Sequence, residues 1–168
     1  MLEVLHDAER ELPRMLTESG SWRTLDIRHC TPHVERVFRK LGELWIALHC
    51  IYPCERAEAL LHPHPWPSAM RILSGRYEMG IAYGQGNEMP PLAATTILAS
   101  GSEYEMVDPN AWHYVRPLEG PALSIMVTGA KWDRSAPKNL EPLAELSTHR
   151  RDEMLETFRQ FYTDSRTS

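Results

Sequence analysis

His62-Pro63-His64-Pro65-Trp66, followed about fifty residues later by Asn110-Ala111-Trp112-His113, is the part of this 168-residue chain whose reading decides the fold. On an extended backbone the side-chain period is two, so His62 and His64 point the same way, and a third imidazole from a distant segment can meet them. Pro63 and Pro65 favour polyproline geometry and donate no ladder hydrogen bonds, so the segment reads as a sheet edge or a strand entrance. Transition metals take neutral imidazole nitrogens at about 2.0–2.2 Å. Three histidines carried by short extended segments therefore point to one divalent metal in an all-β scaffold, for which a small β-barrel is the natural expectation.

The rest of the chain is organised around that region. Leu2, Leu5, Ala8, Leu12, Met15 and Leu16 recur at helical spacing among charged residues, which predicts an N-terminal helical segment over residues 1–21 with Gly20 as its stop. From 22 to 130 the character is strand and turn. Leu44 to Tyr52, Ser68 to Leu73, Arg76 to Tyr83, Ala94 to Ala99, Tyr104 to Val107 and Ala122 to Thr128 are β-prone stretches separated by Gly, Pro, Asn and Asp. Residues 131–168 read as a Pro-containing connector, Lys131 to Pro142, and a helix carrying Met154, Leu155, Phe158, Phe161 and Tyr162. With no internal repeat, the expectation is a single domain flanked by helices.

Composition excludes several classes. The net charge of −5 argues against a broad nucleic-acid or anionic-membrane surface, which needs clustered Lys and Arg. No apolar run approaches the ~18 residues of a membrane span. Cys30, Cys50 and Cys54 lack zinc-ribbon spacing, and the first residues lack the basic start and apolar stretch of a signal peptide, so a reduced cytoplasmic setting is expected.

The histidine pattern resembles the cupin superfamily. Its first motif is HxH, three or four residues, a Glu, six residues and a Gly; its second has a Gly, a Pro-containing turn and a His. Here His62 and His64 are followed by Ser68 where the Glu would stand and by Gly75 at the matching distance, while Gly101, Pro109 and His113 approximate the second motif. Cys54 stands where a Gly is expected after Pro53, and the Pro-to-His spacing is one residue short. The resemblance spans roughly residues 43–129. It implies a double-stranded β-helix (cupin, jelly-roll) barrel with His62, His64 and His113 on a metal, iron(II) first, with zinc, nickel or manganese as alternatives. A three-histidine set without the carboxylate is similar to that of thiol dioxygenases, and it leaves the ion its full charge for an anionic substrate. The expected activity is a metal(II)-dependent dioxygenase or other oxygenase acting on a small polar or anionic molecule. Two alternatives stay open: a metal-dependent lyase, isomerase or hydrolase, for which the Asn110 to His113 turn is similar to ureidoglycolate lyases, and a non-catalytic small-molecule-binding protein. Barrels of this type present apolar edges, which suggests a homodimer.

Other residues complete the expected site. Trp66 and Trp112 lie beside the triad histidines and could wall it, and His49 shares a strand face with Trp45, Ala47 and Ile51 and could line a cavity. Arg116 is the first candidate for a substrate carboxylate; alternation from Ser68 puts Arg71 on the outer face. Tyr104 and Tyr114 are candidate proton donors. Glu78 alternates away from Tyr77, Met79 and Ile81 and so points out of the interior, and Cys50 and Cys54 read as small buried residues.

Overall fold

The computed structural model describes residues 1–86, 88–132 and 143–164. Helix α1 (Leu2–Met15) leads into strands β1 (Arg23–Ile27), β2 (Val34–Leu41), β3 (Leu44–Ile51), β4 (His62–Pro63), β5 (Ser68–Ser74), β6 (Arg76–Tyr83), β7 (Leu92–Ala99), β8 (Glu103–Met106), β9 (Ala111–Pro117) and β10 (Ala122–Thr128). Helix α2 (Thr148–Asp164) follows. The predicted connector lies, over residues 133–142, outside the described residues.

The strands form two antiparallel sheets, a six-stranded one ordered β1-β2-β3-β10-β5-β8 and a four-stranded one ordered β4-β9-β6-β7. Their inner faces meet where Ile51, Ile72 and Ala122 of the larger sheet cluster with Tyr77, Met79 and Val115 of the smaller. The outer face of the larger sheet presents Val37, Ile46, Leu48, Ala69, Ile125 and Val127 to the helices. There Leu5, Ala8, Leu12 and Met15 of α1 and Met154, Leu155 and Phe158 of α2 complete one apolar layer. Each fully buried Leu or Phe in such a layer stabilises the fold by about 1.5–3 kcal/mol. Helix α2 is further held by Arg150, which donates to the Glu35 carboxylate on β2 at 2.7 Å, while the Tyr52 hydroxyl donates to the same oxygen at 2.8 Å.

The expected closed barrel is not what forms. Among the described residues no ladder joins the two sheets, and each keeps two edges, β1 and β8 in one and β4 and β7 in the other. The physical cause at the β4 edge is the proline run. β4 pairs with β9 only through His62↔His113 and Pro63↔Trp112. Pro63, Pro65 and Pro67 have no N–H to carry a ladder onward. The architecture is thus an all-β core of two open, facing sheets with two flanking helices. Helix α1 also ends at Met15, short of Gly20, with Pro13 in its last turn and a 3-10 turn at Ser19–Ser21. No helix among the described residues is long and apolar enough to cross a membrane.

Candidate metal centre

His62 and His113 are direct cross-strand partners on β4 and β9, and His64 follows two residues after His62, so the local chain brings all three rings to the inner side of the smaller sheet. One ligand nitrogen from each lies within 4.8 Å of the others. His64 Nε2 and His113 Nε2 face each other at 2.9 Å. Ring centroids are 4.6 Å apart for His64 and His113, and 4.9 Å for His62 and His113.

The second nitrogens decide which atoms are free to ligate. His62 Nδ1 lies 2.9 Å from the Leu60 carbonyl oxygen, which only accepts, so Nδ1 carries the proton and Nε2 is bare. His64 Nδ1 lies 3.0 Å from the Ser68 hydroxyl. When it donates there, the Nε2 lone pair of His64 also faces His113. The residue that replaces the expected Glu therefore orients a triad histidine, a role that outer hydrogen bonds commonly play at metal sites. Burial pushes all three imidazoles below their usual range, His64 to about 3, with neighbouring histidines reinforcing the shift at His64 and His113. The rings are thus neutral at physiological pH, as metal ligation requires.

This donor set fits a divalent transition metal. Donors about 2.1 Å from one ion sit roughly 3 Å apart, so small side-chain rotations close the triad on it. Three neutral imidazoles suit iron, nickel, copper and zinc alike.

Opposite the triad, the inner face of the larger sheet is a lattice read directly from its register. One row across the strands is Arg36, His49, Ser124 and Ile72. The next is Phe38, Ala47, Met126, Met70 and Tyr104. Trp45, Thr128, Ser68 and Met106 form the third. The triad lies over the second and third rows: Tyr104 is 6.1 Å from His113 between ring centroids, and Ser68 bonds His64. The Tyr104 hydroxyl donates toward Met70 Sδ at 2.8 Å and receives the Tyr77 hydroxyl at 3.3 Å, and burial raises its pKa, so it stays protonated.

Of the other expected site residues, His49 and Tyr104 lie on this inner face. Trp112, Tyr114 and Arg116 do not. They alternate with His113 along β9 and occupy the opposite face of the smaller sheet. There Trp112 Nε1 donates to the Gly84 carbonyl at 3.0 Å and the Tyr114 hydroxyl donates to Glu78 at 2.8 Å. Arg116 Nε lies 3.7 Å from the same carboxylate, and Arg56 Nε lies 3.1 Å from it. This network pins the loop between β3 and β4 across the back of the sheet. Trp66 follows His64 and holds Lys131 over its ring at 5.8 Å. Arg71 pairs with Glu9 of α1 at 3.2 Å, on the outer face. The residue that sequence reasoning missed is Arg36, which faces inward with no carboxylate partner among the described residues. Its charge is close enough to help depress His62 and His64.

No protein-family model matches the chain, and no curated protein is significantly similar to it. Solved structures do share its fold. Hydroxypropylphosphonic acid epoxidase from S. wedmorenis aligns at 14% identity over 66% of this chain and 56% of that one, with a TM-score of 0.51. Fe(II)-HppE with the alternative substrate (S)-1-HPP aligns at 15% identity over 66% of this chain and 57% of that one, with a TM-score of 0.52. The chain thus spans just over half the length of these structures, and at such identities the likeness is one of fold. The two facing sheets that carry the three-histidine cluster are therefore a fold shared with these structures.

Proposed function

We propose that this chain is a metal(II)-dependent oxidative enzyme, an oxygenase in which His62, His64 and His113 hold iron(II) and which acts on a small polar or anionic molecule between the two sheets. What supports this most is the convergence of three neutral imidazoles within 4.8 Å, with Nδ1 of His62 and of His64 engaged by Leu60 and Ser68. The shared fold of Fe(II)-HppE agrees with iron as the metal. When bound, the ion would supply Lewis-acid activation and one-electron chemistry with dioxygen.

The chain's own residues perform the remaining tasks. The Leu60 carbonyl holds the His62 ring in one tautomer, and the Ser68 hydroxyl orients the His64 ring. Tyr104, protonated and beside His113, offers a hydroxyl on the inner face. Ala47, Met70 and Met126 make an apolar floor that excludes water from the space under the triad. His62, on the short edge strand, keeps partial exposure and marks the open side.

The test is elemental analysis of protein made without an added histidine run, beside His113→Ala, followed by oxygen-uptake assays. About one equivalent of iron that is lost in the variant, with oxygen consumption on small organic acids, is the expected result. Zinc or nickel without oxygen uptake would move the reading to the lyase, isomerase or hydrolase class. Failure to bind any metal after anaerobic reconstitution with iron(II) would overturn it.

A further inference from the structure

The row Arg36, His49 and Ser124 sets a half-buried guanidinium beside two buried polar groups that lack partners. Arg36 Nε donates to His49 Nε2 at 2.7 Å. A guanidinium can only donate, so Nε2 is the acceptor and the neutral His49 ring carries its proton on Nδ1. That N–H is buried and has no partner among the described residues, and the same holds for the Ser124 hydroxyl. His49 is 2% exposed and Ser124 is 0% exposed. Leaving two such groups unsatisfied is costly, and native proteins seldom do so without an unseen partner.

The His49 Nδ1–H can only donate and the Ser124 hydroxyl can donate as well, so one acceptor would satisfy both. Arg36 makes the same demand. With Nε engaged, its two terminal nitrogens remain, presenting the parallel N–H pair that matches the two oxygens of a carboxylate. Protein atoms crowd the guanidinium enough to push its pKa down to about 10, which leaves it charged at neutral pH. No inward-facing position of either sheet carries Asp or Glu, and the nearby Cys30 thiol is kept protonated by burial. A half-buried cation with no carboxylate partner among the described residues thus stands beside two spare donors on adjacent strands. Between the pairs Leu123↔Ser74 and Ser124↔Ile72 the register shifts, leaving Leu73 of β5 as the extra residue beside this row, and such bulges commonly re-aim side chains beside binding sites.

We propose that Arg36, His49 and Ser124 form an anion-binding subsite, and that the substrate is a small organic carboxylate. Its carboxyl group sits on this row and its body runs over Ala47, Met126 and Met70 toward the triad. Successive rows are about 7 Å apart, two residues along a strand, which sets the acid's size at a few carbon atoms. A monoanion matches a single guanidinium, and the neighbouring row is apolar. The carboxylate subsite stands on the inner-face geometry alone; that its occupant is the substrate rests on the oxygenase reading.

The test uses metal-free protein and ligand-observed NMR titration with sodium butyrate, its neutral isostere butyramide, and propylphosphonate. Wild type is expected to bind butyrate saturably and at least tenfold more tightly than butyramide. Arg36→Met should lose tenfold or more of that affinity, Ser124→Ala should lose a few-fold, and Arg36→Lys should lie between Arg36→Met and wild type. Near-UV circular dichroism checks folding; should Arg36→Met not fold, Arg36→Lys and Ser124→Ala decide the question. His113→Ala is expected to keep butyrate affinity within about twofold while losing metal, so failure of the metal reading and failure of this one are separable. Equal binding of butyrate and butyramide, unchanged affinity in the Arg36 variants, or tighter binding of propylphosphonate would overturn the carboxylate assignment.

Discussion

Acidification should unfold the metal-free protein well before ordinary carboxylates titrate. His49, His64 and His113 are buried, and burial is the first cause that pushes each imidazole down, His64 to about 3. The unfolded chain returns them to about 6.5, so below that pH it binds protons that the native state refuses. Stability is therefore full above pH 6.5 and is lost as pH falls from there toward the folded-state values. At pH 5.5 each refused proton costs on the order of 1 kcal/mol, so the three together cost several kcal/mol, with a slope of similar size per pH unit. Set against a typical total of 5–15 kcal/mol, this brings the fold close to its limit near pH 5. Urea denaturation of metal-free protein between pH 8 and pH 5 should show the midpoint constant above pH 7 and falling steeply below 6.5, with uptake of two to three protons on unfolding near pH 5.5. A midpoint unchanged from pH 7.5 to 5.5, or uptake below one proton, would refute the neutral, buried state assigned to these rings.

Two substitutions probe how the site is held. Ser68→Ala removes the hydrogen-bond partner of His64 Nδ1 and should weaken metal binding about 10–100-fold, measured by chelator competition, since outer partners of ligating histidines commonly contribute that much. Gly80→Ala would place a Cβ 2.0 Å from Tyr114 Cε1, so the ring must move and its hydrogen bond to Glu78 breaks. Overpacking and the lost charge-assisted bond together should cost about 3–5 kcal/mol in urea denaturation, and a change below about 1 kcal/mol would show that β9 yields more easily than its packing indicates.

Strands β6 and β9 also show what was legible in the sequence and what was not. The inward run Tyr77, Met79 and Ile81, with Glu78 outward, follows from the two-residue period of a strand, and Glu78 does lie on the outer face with Tyr114 and Arg56. The same period, applied to β9, places Trp112 and Tyr114 on the face opposite His113; adjacency along the chain suggested proximity to the triad, and alternation denies it. The apolar spacing of α2 was equally plain, because a helix advertises its buried face every three to four residues. Sheet closure was not legible in this way. It depends on whether edge strands of distant segments find ladder partners, and the proline run from 63 to 67 ends β4 after two residues.

Arg36 was hidden for a related reason. In Val34-Glu35-Arg36-Val37-Phe38-Arg39-Lys40 both strand faces carry charge, so nothing local separates an interior arginine from a surface one. Only the register across β2, β3 and β10, which sets Arg36 beside His49 and His49 beside Ser124, turns it into an inward-facing, half-buried cation among donors. The hydrogen bond between Arg36 and His49 then has a consequence neither residue shows alone: it fixes the histidine's tautomer and leaves a donor where a purely structural histidine would be satisfied. The prolines act in the same compound way at the other sheet. By ending the β4 ladder they leave that edge open, and they also release His64 from strand pairing, so that its ring turns to Ser68 and its free nitrogen to His113. An open edge thus lies at His62 and a donor row about one strand row from the part of the larger sheet that faces the triad.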